Sequence, residues 1–226
     1  MRPSDHSHRV KVWDLPTRLF HWLLVALIVA LGVSGELGKL DLHMIIGPAV
    51  LVLILFRLVW GLIGSETARF SHFVRGPKAI RAYLSAARTG AVRSVGHNPL
   101  GAFSVLALLS LVLVQSLTGL FTSDDILSEG PLAHLLSAKS VALISTVHRI
   151  CFKLLLAFIV LHLAAVAFYR FVKKDDMVEA MITGTKKVPT TVAGIRFRNP
   201  LLALAALAVC AALVWGTLAA LPAPAF

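Results

Sequence analysis

The sequence predicts an all-α integral membrane protein: a transmembrane bundle of five helices, the fifth at the C-terminus. Three observations predict it. Of 226 residues, 58% are hydrophobic and only 15% are charged, which is too apolar for an ordinary soluble domain. The apolar residues gather into five stretches, about 19–37, 43–64, 100–121, 141–170 and 200–221, each long enough to cross the hydrocarbon as a helix. The Lys and Arg residues of the termini and loops, with Arg170 at the edge of the fourth stretch counted to its loop, split seventeen against two between alternate sides, a strong positive-inside signal. The formal net charge of +11 is therefore a topology signal with anionic lipid as its partner, and nucleic acid is not implied.

The elements follow in order. Residues 1–18 form a basic segment on the cytoplasmic side. The first span is too long for the apolar part of a signal peptide and lacks a convincing small-residue cleavage site, so it reads as a retained anchor. The loop 38–42 faces the periplasm, and the second span returns. The loop 65–99 is basic and cytoplasmic; within it, residues 79–88 (AIRAYLSAAR) read as an amphipathic helix on the membrane surface or as a plain solvated loop. Asn98-Pro99 marks the start of the third span. The fourth stretch is long, so its helix tilts or extends past the bilayer. Residues 176–199 form a basic cytoplasmic connector. The fifth helix, in 200–226, is uniformly apolar, carries no His, Arg or Lys, and reads as a packing or docking helix and a candidate homodimer interface. The C-terminus then lies in the periplasm. Cys151 and Cys210 sit inside spans and read as small buried residues; no Cys-x-x-Cys-His is present for covalent haem attachment.

Four of the nine histidines lie in or at the edges of spans. His148 and His162 are fourteen residues apart on one helix, which brings them to nearly the same face with a rise of roughly 21 Å. Ionisable residues at such depth are rare and usually functional. Topology sorts the four by depth: His21 and His162 share the cytoplasmic layer, and His43 and His148 share the outer layer. Each pair can clamp one planar haem iron between neutral imidazoles, and bundle cores are a usual place for such sites. Residues 19–175 thus read as a di-haem transmembrane bundle, with one haem held by His21/His162 and the other by His43/His148.

Small and charged residues support this. Gly32, Gly47, Gly101 and Gly119 fall at spacings that open room beside two macrocycles, although glycine also serves helix packing in membranes. Arg57 is fourteen residues from His43 and near the cytoplasmic layer, and Arg18 lies at that interface. Arg binds carboxylates in bidentate fashion, so both are candidate partners for the propionates of the cytoplasmic haem. The alternatives are snorkelling for Arg57 and a topology charge for Arg18. Arg149 and Lys153 have no clear role. His6, His8, His72 and His134 read as solvated or loop residues, and His97 reads as a loop residue or as a proton carrier near a quinone.

The runs VWDLPTRLFHW around His21, HMIIGPAVLVLILFRLVWG after His43, GHNPLGAFSVLALLSLVLVQSLTGL, and the segment from His148 to His162 resemble the bacterial cytochrome b561 family. That family includes the b-type cytochrome subunit of nickel–iron hydrogenases. The resemblance covers about residues 10–175. It implies a four-helix core with two bis-histidine b haems, ligated at His21, His43, His148 and His162, and the fifth span departs from the pattern.

The function expected is electron transfer across the bacterial inner membrane, linking the quinone pool to a redox partner at the outer face, either a hydrogenase, a c-type cytochrome or another oxidoreductase. A self-contained superoxide:quinone oxidoreductase is the alternative, with Arg149 and Lys153 attracting the anion. A transporter with metal- or proton-binding histidines is a third reading, which the family motifs disfavour.

Overall fold

The structure is a computed structural model that describes residues 8–74, 76, 78, 81–82, 85, 99–124, 126, 128–188 and 195–221. The stretch 79–88 lies mostly outside the described residues, and His6 and His97 lie wholly outside them. Among the described residues, five helices are long and apolar enough to cross a membrane. These are α1 (Leu15–Glu36), α2 (Leu40–Ile63), α4 (Pro99–Gly119), α5 (Ala138–Phe171) and α7 (Pro200–Ala220). Two short helices, α3 (Phe70–Phe73) and α6 (Met177–Thr183), and two strands, β1 (His8–Lys11) and β2 (Thr185–Val188), belong to one end of the bundle.

Local chemistry sets where the spans begin. Helix α1 starts four residues earlier than its apolar pattern suggests, because Asp14 caps it: the Thr17 amide donates to Asp14 Oδ1 at 2.8 Å, with Pro16 in the first turn. Helix α5 is capped by Ser137 and α7 by Asn199 followed by Pro200. At 34 residues, α5 is about 51 Å long, well beyond the thickness of a hydrocarbon core.

Helix α2 is the centre of the bundle. It packs against α1, α4 and α7, and α4 packs against α5. Ile54 and Trp60 are fully buried, and Val50, Leu51, Val52, Leu53 and Phe56 are nearly so. Its middle turns, Val50 to Ile54, are apolar on every face, as a stretch buried all round is. The fifth helix is part of this core: Ala203, Cys210 and Val214 are buried against it. Small residues there let the α7 backbone come close, which is how helices associate where burial from water supplies no driving force. Helices α1 and α5 scarcely meet directly, and that leaves a gap between the α1/α2 pair and the α4/α5 pair. Large apolar side chains such as Leu19, Val29, Ile45, Phe103 and Val160 face outward, as lipid-facing residues do.

The basic end departs from the sequence reading. Residues 1–18 and 176–199 were expected as separate polar segments, whereas β1 and β2 pair antiparallel, with Arg9 opposite Lys187 and Val10 opposite Lys186. The Val12 and Trp13 amides donate to the Gly184 carbonyl at 2.7 and 3.1 Å. Gly184 ends α6 with φ of 81°, a left-handed cap that glycine takes without strain. Val12, Trp13 and Ala180 make a small second core. The Thr67 hydroxyl donates to the Val12 carbonyl at 2.7 Å, and the Glu66 amide donates to the Arg196 carbonyl at 3.1 Å. Four-residue strands so far apart in sequence carry no local pattern, so only the assembled bundle reveals this ribbon.

Candidate functional site

The gap between the helix pairs opens at one end of the bundle into a cavity of about 460 Å³, within the usual size of a cofactor site. His43, in the first turn of α2, and His148, in the third turn of α5, face each other across it, their ring centroids 6.4 Å apart and their planes at 77°. Two imidazoles on opposite faces of one metal, with bonds of about 2.0–2.1 Å and ring centres a little over 1 Å behind each nitrogen, sit about 6–6.5 Å apart. The observed separation fits that requirement.

The rings are oriented by hydrogen bonds. His43 Nδ1 lies 3.0 Å from the Leu31 carbonyl and 3.4 Å from Ser34 Oγ. His148 Nδ1 lies 3.0 Å from Thr118 Oγ1, and His148 Nε2 lies 2.9 Å from the Gln115 side-chain nitrogen. The Nδ1 partners, on the nitrogen away from a ligated Nε2, are what ligating histidines ordinarily have; Gln115 stands at the Nε2 position itself.

The walls are cut to make room. Gly32, Gly35, Gly47 and Gly119 all line the cavity. A Cβ on Gly119 would lie 3.1 Å from His148 Cε1, and one on Gly35 would lie 3.3 Å from His43 Nδ1. A Cβ on Gly47 would meet nothing within 4 Å. Pro48 follows inside α2; lacking an amide hydrogen, it leaves the Met44 carbonyl without its helical partner, beside the same space. The loop after α4 closes the end of the cavity. The Gly130 amide donates to Thr122 O at 2.7 Å, and Leu132 N donates to Leu120 O at 2.8 Å. Glu36, Asp124 and Arg149 line the cavity near this loop.

At the other end of the gap, His21 in the second turn of α1 and His162 on α5 lie close enough to interact electrostatically. His21 Nδ1 is buried and makes no hydrogen bond. An imidazole buried with an open nitrogen is costly unless something binds it. Arg57, only 3% exposed, stands over the Phe70 ring at 5.1 Å and feels the charge of Asp14. Its Nη1 is buried without a hydrogen-bond partner, a donor free for an anion. Asp14 itself accepts from Trp60 Nε1 at 2.9 Å.

Arg18 is placed differently from the expectation that it meets a propionate. Its Nε donates to the Met181 carbonyl at 3.3 Å and its Nη2 to the Ile182 carbonyl, so its guanidinium clasps the C-terminal turn of α6, whose last carbonyls lack helical partners. Gly101 lies in the first turn of α4, far along the helix from the cavity. Arg149 lines the cavity and donates to Thr146 Oγ1 at 3.2 Å. His72 pairs with Glu66 at 3.7 Å, and both ring nitrogens of His134 are buried without partners.

Sequence reasoning missed Gln115, Thr118, Ser34 and Gly35. The signal for two of them was present: Gln115 and Thr118 are polar residues one turn apart inside an apolar span, and such residues face the bundle interior.

The sequence matches known proteins over most of this framework. Residues 12–184 match the family model of prokaryotic cytochrome b561. A protein of Azotobacter chroococcum mcd 1, described as a probable Ni/Fe-hydrogenase B-type cytochrome subunit, is 24% identical over 210 residues, covering 77% of this chain and 87% of that relative.

Proposed function

Since the chain belongs to the prokaryotic cytochrome b561 family, and is thereby a multi-pass bacterial membrane protein that carries electrons through b-type haem, we propose that it holds two such haems stacked across the bilayer. His43 and His148 ligate one and His21 and His162 the other. The observation that carries this reading is the His43–His148 pair, 6.4 Å apart across a glycine-walled cavity. Haem supplies a one-electron couple at each layer. The protein supplies what sets that couple. The four histidines would hold each haem through two imidazoles, which would leave no open position for oxygen. The Leu31 carbonyl and Thr118 hydroxyl orient the rings, and Arg57 offers its unpartnered Nη1 to a propionate carboxylate.

The basic end, with β1, α6 and β2, lies in the cytoplasm, on the seventeen-to-two division of Lys and Arg. The His43/His148 layer then faces the periplasm. Electrons pass between the quinone pool and a redox protein at that face. The relative described as a hydrogenase cytochrome subunit supports a hydrogenase-like partner, and a c-type cytochrome fits the same geometry. The superoxide reading needs a positive mouth at the outer cavity. Arg149 stands there, but Glu36 and Asp124 line the same cavity, so a steering field is not built.

The test is spectral. Purified protein should show the reduced α-band of low-spin b haem with two haems per chain. His43→Ala and His148→Ala should remove one and the same redox component, and His21→Ala and His162→Ala the other. Loss of a single component by both His21→Ala and His43→Ala would overturn the pairing.

A further inference from the structure

We infer that Thr118 is a positioning residue for His148: its hydroxyl dictates which imidazole nitrogen carries the proton and so leaves the other nitrogen's lone pair for iron. The inference rests on the haem reading above and goes beyond it in assigning control of the outer-layer potential to one side chain.

The argument is one of hydrogen inventory. Thr118 Oγ1 lies 2.7 Å from the Val114 carbonyl and 3.1 Å from the Gln115 carbonyl. Both are acceptors, so the single hydroxyl hydrogen is committed to the helix backbone. Toward His148 Nδ1, 3.0 Å away, the hydroxyl can only accept. Nδ1 therefore carries the hydrogen, and Nε2 carries the lone pair. The Gln115 side-chain amide sits 2.9 Å from that Nε2, in the place a ligand to Nε2 would take, so it swings aside when iron binds and the tautomer rests on Thr118 alone. On the other side of the cavity, His43 Nδ1 meets the Leu31 carbonyl at 3.0 Å, which also only accepts, and the same tautomer follows.

The two rings differ in what holds them. The acceptor for His43 is a backbone carbonyl that no side-chain change removes. The acceptor for His148 is a hydroxyl that one substitution deletes. An acceptor on Nδ1–H pushes electron density toward Nε2 and makes it a stronger donor, which stabilises the ferric form. Removing it raises the potential.

The experiment is a redox titration of the purified full-length protein carrying Thr118→Val, which keeps the branched shape and loses the acceptor, and Thr118→Ser, which keeps the hydroxyl. In Thr118→Val the midpoint of the component that His148→Ala removes should rise, by about tenfold in its reduction equilibrium, or about 59 mV for one electron. The other component should not move, and Thr118→Ser should titrate like the natural protein. A full haem complement with an unmoved midpoint in Thr118→Val overturns the inference, as does an equal rise in Thr118→Ser, which would assign the effect to packing. If Thr118→Val fails to hold that haem, Thr118→Ser decides: retention at the natural midpoint supports the role, and loss overturns it. Natural protein without any b haem would instead defeat the haem reading itself.

Discussion

Replacing Gly119 by leucine should empty the outer layer of its haem while leaving the bundle folded. In the structure a Cβ at position 119 would stand 3.1 Å from His148 Cε1, where ordinary carbon contacts are about 3.5–4.0 Å. Even alanine requires the ring or the end of α4 to retreat by about 0.4 Å. Leucine adds three more carbons at a site lining the cavity. In a filled core such overpacking costs about 1–3 kcal/mol. Here the added carbons can enter the cavity, so the penalty falls on the bound macrocycle and on the His148 ring. The haem-to-protein ratio should drop from two to one, and the component lost should be the one His148→Ala removes. The matched control is Gly216→Leu on α7, where a Cβ would meet nothing within 4 Å, and both haems should remain. A Gly119→Leu protein with two haems at natural midpoints would refute the placement of the macrocycle against α4.

Other perturbations test other parts of the framework. Asp14→Ala removes the cap of α1 and leaves the buried Trp60 indole N–H without its acceptor, together about 2–4 kcal/mol; unfolding in detergent should show it, and Asp14→Asn should cost less because its amide oxygen still accepts. Arg57→Leu removes the buried cation proposed to meet a propionate and should lower the midpoint of the His21/His162 component, by an amount on the order of 1 kcal/mol, as read by redox titration. Gly184→Val forces a branched residue into φ of 81° and presses its Cβ to 3.0 Å from Arg18 Nη1 and the Trp13 carbonyl; the β1–β2 ribbon should open, limited proteolysis should cut near the N-terminus, and haem content should hold. The planes of His43 and His148 are near-perpendicular, at 77°; a haem held between them would have almost degenerate iron dπ orbitals and should give a strongly anisotropic low-spin ferric EPR signal, and a rhombic signal of moderate spread would contradict the proposed ligation.

Much of this protein can be read from the chain alone. Five helices follow from five apolar stretches, because a bilayer demands helices of a given length with every backbone group satisfied internally. The four intramembrane histidines stand out because polar residues there are expensive, and topology orders them by depth because adjacent spans must run antiparallel. What the chain does not reveal is decided by contacts between residues far apart in sequence. Arg18 looks like a propionate partner by position, yet packing brings the end of α6 to it, and the unsatisfied carbonyls of Met181 and Ile182 take its guanidinium. The β1–β2 ribbon joins segments with no local strand pattern. The fifth helix, featureless as sequence, becomes a core element because its small residues let it seat against α2. Thr118 is an unremarked polar residue until α4 lies against α5, when its hydroxyl falls 3.0 Å from Nδ1 of the His148 imidazole. Periodicity and the bilayer determine which residues lie at which depth; only tertiary packing decides which of them share a proton.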